Sequence, residues 1–178
     1  LNLSVEDNCI KELISLPEGM EQLFMTKNEM TNVCVKFDDR LRILDLENNE
    51  LEEINFNIPK MLERLNLSKN KIAYIRMVMP ENLSHFDISN NKLADIDDLT
   101  INNKLKYFDV SSNKINKIAD DKLTGINYVD ISDNNCNGND SDSDSSIHIR
   151  TLYNGSDNGD DLEDGEDIYG GALDNFTG

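Results

Sequence analysis

The chain has 178 residues and a net charge of −18, from 35 acidic against 17 basic side chains. Such a surface repels a phosphate backbone, so generic nucleic-acid binding is disfavoured and a basic protein partner favoured. Apolar residues make up 38% of the chain, and no run approaches the roughly eighteen apolar residues of a membrane span, so no membrane partner is expected. No secretory leader is visible, although a start at Leu1 rather than Met leaves a processed N-terminus open. The cysteines, Cys9, Cys34 and Cys136, are odd in number and too scattered for a zinc site or a disulfide cap. They point to a reducing, intracellular compartment (cytoplasmic, the host cytoplasm included), with an extracellular one left open.

In chain order the sequence falls into units. A partial first unit holds Leu3, Val5, Asn8, Ile10 and Leu13, and the second holds Met20, Leu23, Met25, Asn28, Met30 and Val33. The third reads Leu41, Leu44, Leu46, Asn49, Leu51, Ile54, and the fourth Leu62, Leu65, Leu67, Asn70, Ile72, Ile75. The fifth reads Leu83, Phe86, Ile88, Asn91, Leu93, Ile96, and the sixth Leu105, Phe108, Val110, Asn113, Ile115, Ile118. The seventh closes with Ile126, Val129, Ile131, Asn134 and Cys136. The asparagines are spaced 20, 21, 21, 21, 22 and 21 residues apart.

This is the L-x-x-L-x-L-x-x-N-x-L pattern, and residues 1–136 resemble the leucine-rich-repeat family. Pro17, Pro59 and Pro80 each stand three residues before the first anchor of a unit. Short units with P-x-x-L resemble the bacterial, effector-like class; a viral or protist origin fits as well. The resemblance implies an α/β solenoid: a right-handed superhelix with a concave parallel β-sheet. With units this short, the convex side is expected to be mostly irregular or 3₁₀. Each L-x-L core reads as a short strand with alternate residues inward, and units stack because none can bury its apolar face alone.

Asn28, Asn49, Asn70, Asn91, Asn113 and Asn134 take a structural role as a ladder, since an amide both donates and accepts at the turn after each strand. Binding is expected on the side chains between the anchors. One exposed row is Gln22, Ile43, Arg64, His85, Tyr107, Tyr128, and the next is Phe24, Asp45, Asn66, Asp87, Asp109, Asp130. The anchors are monotonous and these rows are varied, as a binding face is. Arg64, His85, Tyr107 and Tyr128 carry interface-type chemistry, against simple cross-strand packing of the rings. Asp87, Asp109 and Asp130 form a strip able to receive Lys or Arg, against the usual role of Asp or Asn in local hydrogen bonding at this position.

Near residue 137 the repeat stops. Residues 137–178 contain eleven acidic side chains and one Arg, a low-complexity acidic tail. Within it, Ile147–Tyr153 alternates and Asn154-Gly155 signals a turn, which reads as a partial cover for the open end of the solenoid. A solenoid followed by an acidic tail also resembles the acidic nuclear leucine-rich phosphoproteins, which implies an alternative function: binding or chaperoning basic proteins through tail and net charge. Ser141 and Ser143 precede acidic residues and suit an acid-directed kinase.

No catalytic constellation emerges. Asp133-x-Asn135-x-Asn137-Gly138 echoes a calcium loop, but Asp140 stands where an apolar residue belongs. His85 and His148 are too far apart for an acid–base triad, and no phosphate loop or nucleophile elbow occurs. Sequons fall at Asn2, Asn66, Asn82, Asn139, Asn154 and Asn175, about as chance gives with 25 asparagines. The expectation is a non-catalytic protein–protein interaction module with no cofactor and no metal.

Overall fold

The computed structural model describes residues 1–119 and 121–136. Expectations on residues 137–178 lie outside the described residues. These are the acidic tail, the cover at 147–153, the serines at 141 and 143, the calcium-like loop beyond Cys136, and the sequons at Asn139, Asn154 and Asn175.

Seven three-residue strands form one parallel sheet: β1 (Asn2–Ser4), β3 (Gln22–Phe24), β5 (Ile43–Asp45), β6 (Arg64–Asn66), β8 (His85–Asp87), β10 (Tyr107–Asp109) and β11 (Tyr128–Asp130). They lie side by side in chain order, one strand per repeat. The register pairs like with like, Arg64 with His85, His85 with Tyr107, and Tyr107 with Tyr128. The middle residue of every strand points inward. Leu23, Leu44, Leu65, Phe86, Phe108 and Val129 are buried there, each worth about 1.5–3 kcal/mol of transfer free energy. Phe86 and Phe108 stack on successive rungs, with ring centroids 5.7 Å apart.

The convex side is irregular and extended, with no helix among the described residues, and no helix there could cross a membrane. Single 3₁₀ turns are replaced by turns and two short parallel pairings. One joins β2 (Glu12–Leu13) to β4 (Asn32–Val33), and the other joins β7 (Met77–Val78) to β9 (Leu99–Thr100). Neighbouring repeats thus satisfy each other's backbone directly, which a helix would do internally.

The ladder asparagines tie the repeats together. Asn70 donates through Nδ2 to the carbonyls of Leu46, Leu67 and Ser68, while its Oδ1 accepts from the Leu51 N–H. Asn91, Asn113 and Asn134 repeat that pattern one rung further each time. The residue before each asparagine is left-handed: Asp7, Lys27, Asn48, Lys69, Asn90, Ser112 and Asp133 have φ between 51 and 55°. That bend swings the amide under the strand ends, and only Asn and Asp among these types enter it readily.

Candidate functional site

The sheet arranges its solvent-side residues in straight columns because every strand is in register. The first column, Gln22 to Tyr128, is half-buried throughout. Its C-terminal part is a continuous stack. His85 lies on Tyr107 with centroids 6.0 Å apart and planes 19° from parallel, and Tyr107 lies on Tyr128 at 4.7 Å and 2°. Arg64 flanks His85 on the next strand. Burial, then the charges of Arg64 and Lys106, lower the His85 pKa, so the ring at neutral pH is an uncharged aromatic surface. Its Nδ1 shares a 2.8 Å hydrogen bond with the Ser84 hydroxyl.

The second column departs from the expected exposure. Asp45, Asn66 and Asp87 are buried, at 7%, 4% and 8% exposure, while Phe24, Asp109 and Asp130 remain half-exposed. Each polar side chain of the column folds back through the same local hydrogen bond. The Oδ1 atoms of Asp45, Asn66, Asp87, Asp109 and Asp130 accept the backbone N–H two residues on, from Glu47, Ser68, Ser89, Ser111 and Ser132. At Asn66, Asp109 and Asp130 the serine hydroxyl donates as well. The same burial makes Asn66 a poor glycan acceptor. Burial pushes Asp45 and Asp87 up to about 6 and raises Asp109 too, with like charges on neighbouring rungs adding to it.

The second carboxylate oxygens face the rings. Tyr107 donates to Asp109 Oδ2 at 3.4 Å and Tyr128 to Asp130 Oδ2 at 3.5 Å, both long bonds. The Tyr128 phenol is raised by burial and by the nearby carboxylates. Among the described residues, no ion pair reaches Asp87, Asp109 or Asp130. On neighbouring rungs some acids are answered: Glu47 pairs with Lys69 at 2.7 Å, Glu63 with Arg42 at 2.6 Å, and Asp45 accepts the Asn66 amide at 3.3 Å. Sequence reasoning missed the Glu47–Lys69 pair and the serine locks. The D-x-S and N-x-S spacing at residues 66, 87, 109 and 130 was the available signal for the locks. No group of three His, Cys, Asp or Glu among the described residues could hold a metal ion.

No protein-family model and no curated protein matches the chain. Solved structures do. YopM from Yersinia enterocolitica WA-314 superposes with a TM-score of 0.58 at 24% identity, over 75% of this chain and 32% of that one. An effector leucine-rich-repeat domain from Shigella gives 0.60 at 19% identity, over 72% of this chain and 59% of its own. The fold is a leucine-rich-repeat solenoid. The leucine-rich-repeat chain spans about a third and three-fifths of the lengths of these two neighbours. Its short repeats, about 21 residues each, have extended convex sides.

Proposed function

We propose that this leucine-rich-repeat chain is a non-catalytic protein–protein interaction module of the effector or adaptor type, acting inside a cell, the host cytoplasm in the effector case. It receives a protein with a basic surface on its concave sheet. The contact centres on Arg64, His85, Tyr107 and Tyr128, with Asp87, Asp109 and Asp130 as acceptors. The observation that carries this reading is the three-ring stack standing beside carboxylates that have no ion-pair partner among the described residues. Stacked rings offer rigid apolar area at little entropy cost, and ionised carboxylates offer charge-assisted hydrogen bonds. A net charge of −18 favours basic proteins over nucleic acid or an anionic membrane. The likeness of fold to an effector domain lends the effector type its support.

The test is affinity capture at moderate salt with the full chain, the Tyr107→Ala/Tyr128→Ala variant, and a Gln22→Ala/Ile43→Ala control on the same column. A discrete basic protein should be retained by the full chain and the control. It should bind the tyrosine variant about 30-fold or more weakly, as loss of two hot-spot rings implies, while that variant still melts cooperatively. A spread of basic proteins, retained by all three chains and lost within a few hundred millimolar salt, would instead assign the binding to tail and net charge as an acidic chaperone.

A further inference from the structure

Strands β10 and β11 set four oxygens in a small rectangle on the concave face. Tyr107 Oη lies 3.4 Å from Asp109 Oδ2, and Tyr128 Oη lies 3.5 Å from Asp130 Oδ2. Tyr107 pairs with Tyr128 and Asp109 with Asp130 across the ladder. The two rings are 4.7 Å apart and 2° from parallel, so one rung repeats on the next at the strand spacing. Half the diagonal of a rectangle with sides of 3.4 and 4.7 Å is about 3 Å, the ordinary length of an N–H···O bond. The first column holds Gln22, Ile43, Arg64 and His85 on the earlier strands, none with a hydroxyl. Among the described residues the rectangle therefore forms only between β10 and β11.

Each carboxylate is engaged on one side only. Asp109 Oδ1 accepts the Ser111 N–H at 2.9 Å and its hydroxyl at 2.7 Å, and Asp130 Oδ1 accepts the same two groups of Ser132 at the same lengths. Both lone pairs of each Oδ1 are used, which leaves Oδ2, under a long phenol bond, to a partner. A guanidinium is favoured where it can bridge both oxygens of one carboxylate or lie on an aromatic face. Neither is offered here. Tyr107 has His85 on one face and Tyr128 on the other, so a cation meets ring edges and hydroxyls. A compact ammonium, with three donors around one point, suits single oxygens set around it. A phenol that donates to its carboxylate can still accept through its lone pairs. Burial and the nearby carboxylates raise the Tyr128 phenol, so it keeps its proton at neutral pH.

We propose that the partner presents a lysine, whose ammonium seats between Tyr107, Asp109, Tyr128 and Asp130 in preference to an arginine; this rests on the concave-face reading above. The ammonium donates to Oδ2 of Asp109, to Oδ2 of Asp130 and to one phenol oxygen. No ion pair reaches either carboxylate among the described residues, and a net charge of −18 draws a cation toward this face. The serines act as positioning residues: by holding each Oδ1 they turn a pair of bidentate acceptors into a pair of single oxygens.

The test titrates two peptides of equal charge, acetyl-Lys-Ala-Lys-Ala-Lys-amide and its arginine counterpart, into the full chain at moderate salt. The readout is the NMR shift of the Asp109 and Asp130 carboxyl groups. Attraction to net charge is common to both peptides and cancels in their ratio. The lysine peptide should move both carboxyl resonances and bind about fivefold tighter or more. In a Tyr107→Phe/Tyr128→Phe variant, which keeps the ring stack and loses two of the four oxygens, that ratio should fall to near one. Equal or tighter arginine binding at the same carboxyls would overturn the lysine preference and leave the concave-face reading standing. A preference that survives in the phenylalanine variant would overturn the four-oxygen seat. Shifts confined to other residues, or none at all, would overturn the proposal and remove the centre of the concave-face contact with it.

Discussion

The two halves of the concave sheet share one scaffold and differ in what they do with polar groups. Around β5 and β6 the chain answers itself: Lys69 meets Glu47, Arg42 meets Glu63, and the Asn66 amide meets Asp45. Around β8, β10 and β11 the carboxylates have no ion pair among the described residues, and the first column turns from Gln, Ile and Arg to stacked rings. The backbone, the asparagines and the buried anchors are the same in both. A repeat protein can therefore hold a fixed frame and vary only whether its surface chemistry is consumed internally or left for a partner.

That comparison can be broken at several levels. The largest effect belongs to the frame. Asn70→Ala and Asn113→Ala each strand several buried backbone groups and should cost about 3–5 kcal/mol by denaturant unfolding. The two costs should agree within about 1 kcal/mol if both halves use one ladder; a wide gap would show that the halves are not built alike. Next come Asp45→Asn and Asp87→Asn. A carboxyl near 6 when folded, against 3.8 as its ordinary value, binds its proton more tightly in the folded chain. Its contribution to stability therefore rises as pH falls from above 6 toward 3.8 and is least favourable at neutral pH. Both variants should melt higher than the parent at pH 7.5, by on the order of 1–2 kcal/mol, and lose that advantage near pH 4. Only Asp87→Asn should also weaken partner capture, because Asp45 is already engaged by the Asn66 amide on the next rung. The smallest effect tests the left-handed bend. Lys27→Asn should stabilise by about 0.5–1 kcal/mol, whereas Lys69→Asn should gain less because it gives up the Glu47 pair. Equal gains in thermal melts would mean that the Glu47–Lys69 contact contributes nothing.

The columns were legible residue by residue because a fixed period turns sequence distance directly into spatial adjacency. Tyr107 beside Tyr128 follows from a spacing of 21 and needs no coordinates. The burial of Asp45 and Asp87 was not legible in this way. It depends on a carboxylate folding back onto its own backbone, which periodicity does not encode. The left-handed positions were hidden for a related reason: seven bends are made by Asp, Lys, Asn and Ser, with no glycine to mark them. The extended convex side was half-legible. Unit length excluded long helices, but the choice between a 3₁₀ turn and a bridge to the next repeat rests on the neighbour's backbone. The seat of the acidic strip is thus a matter of packing, and the ring stack beside it a matter of count.

The asparagine ladder has a consequence for how the chain is made. The N–H two residues past each asparagine waits for an amide oxygen about nineteen residues downstream, as Ile72 waits for Asn91. During synthesis, which proceeds from the N-terminus, no repeat can finish its hydrogen bonding until the next has left the ribosome. The folding front must trail the growing end by one full unit. A nascent chain arrested at any length would carry one incomplete, chaperone-accessible repeat at its tip, and that unfinished unit would move along the molecule with translation.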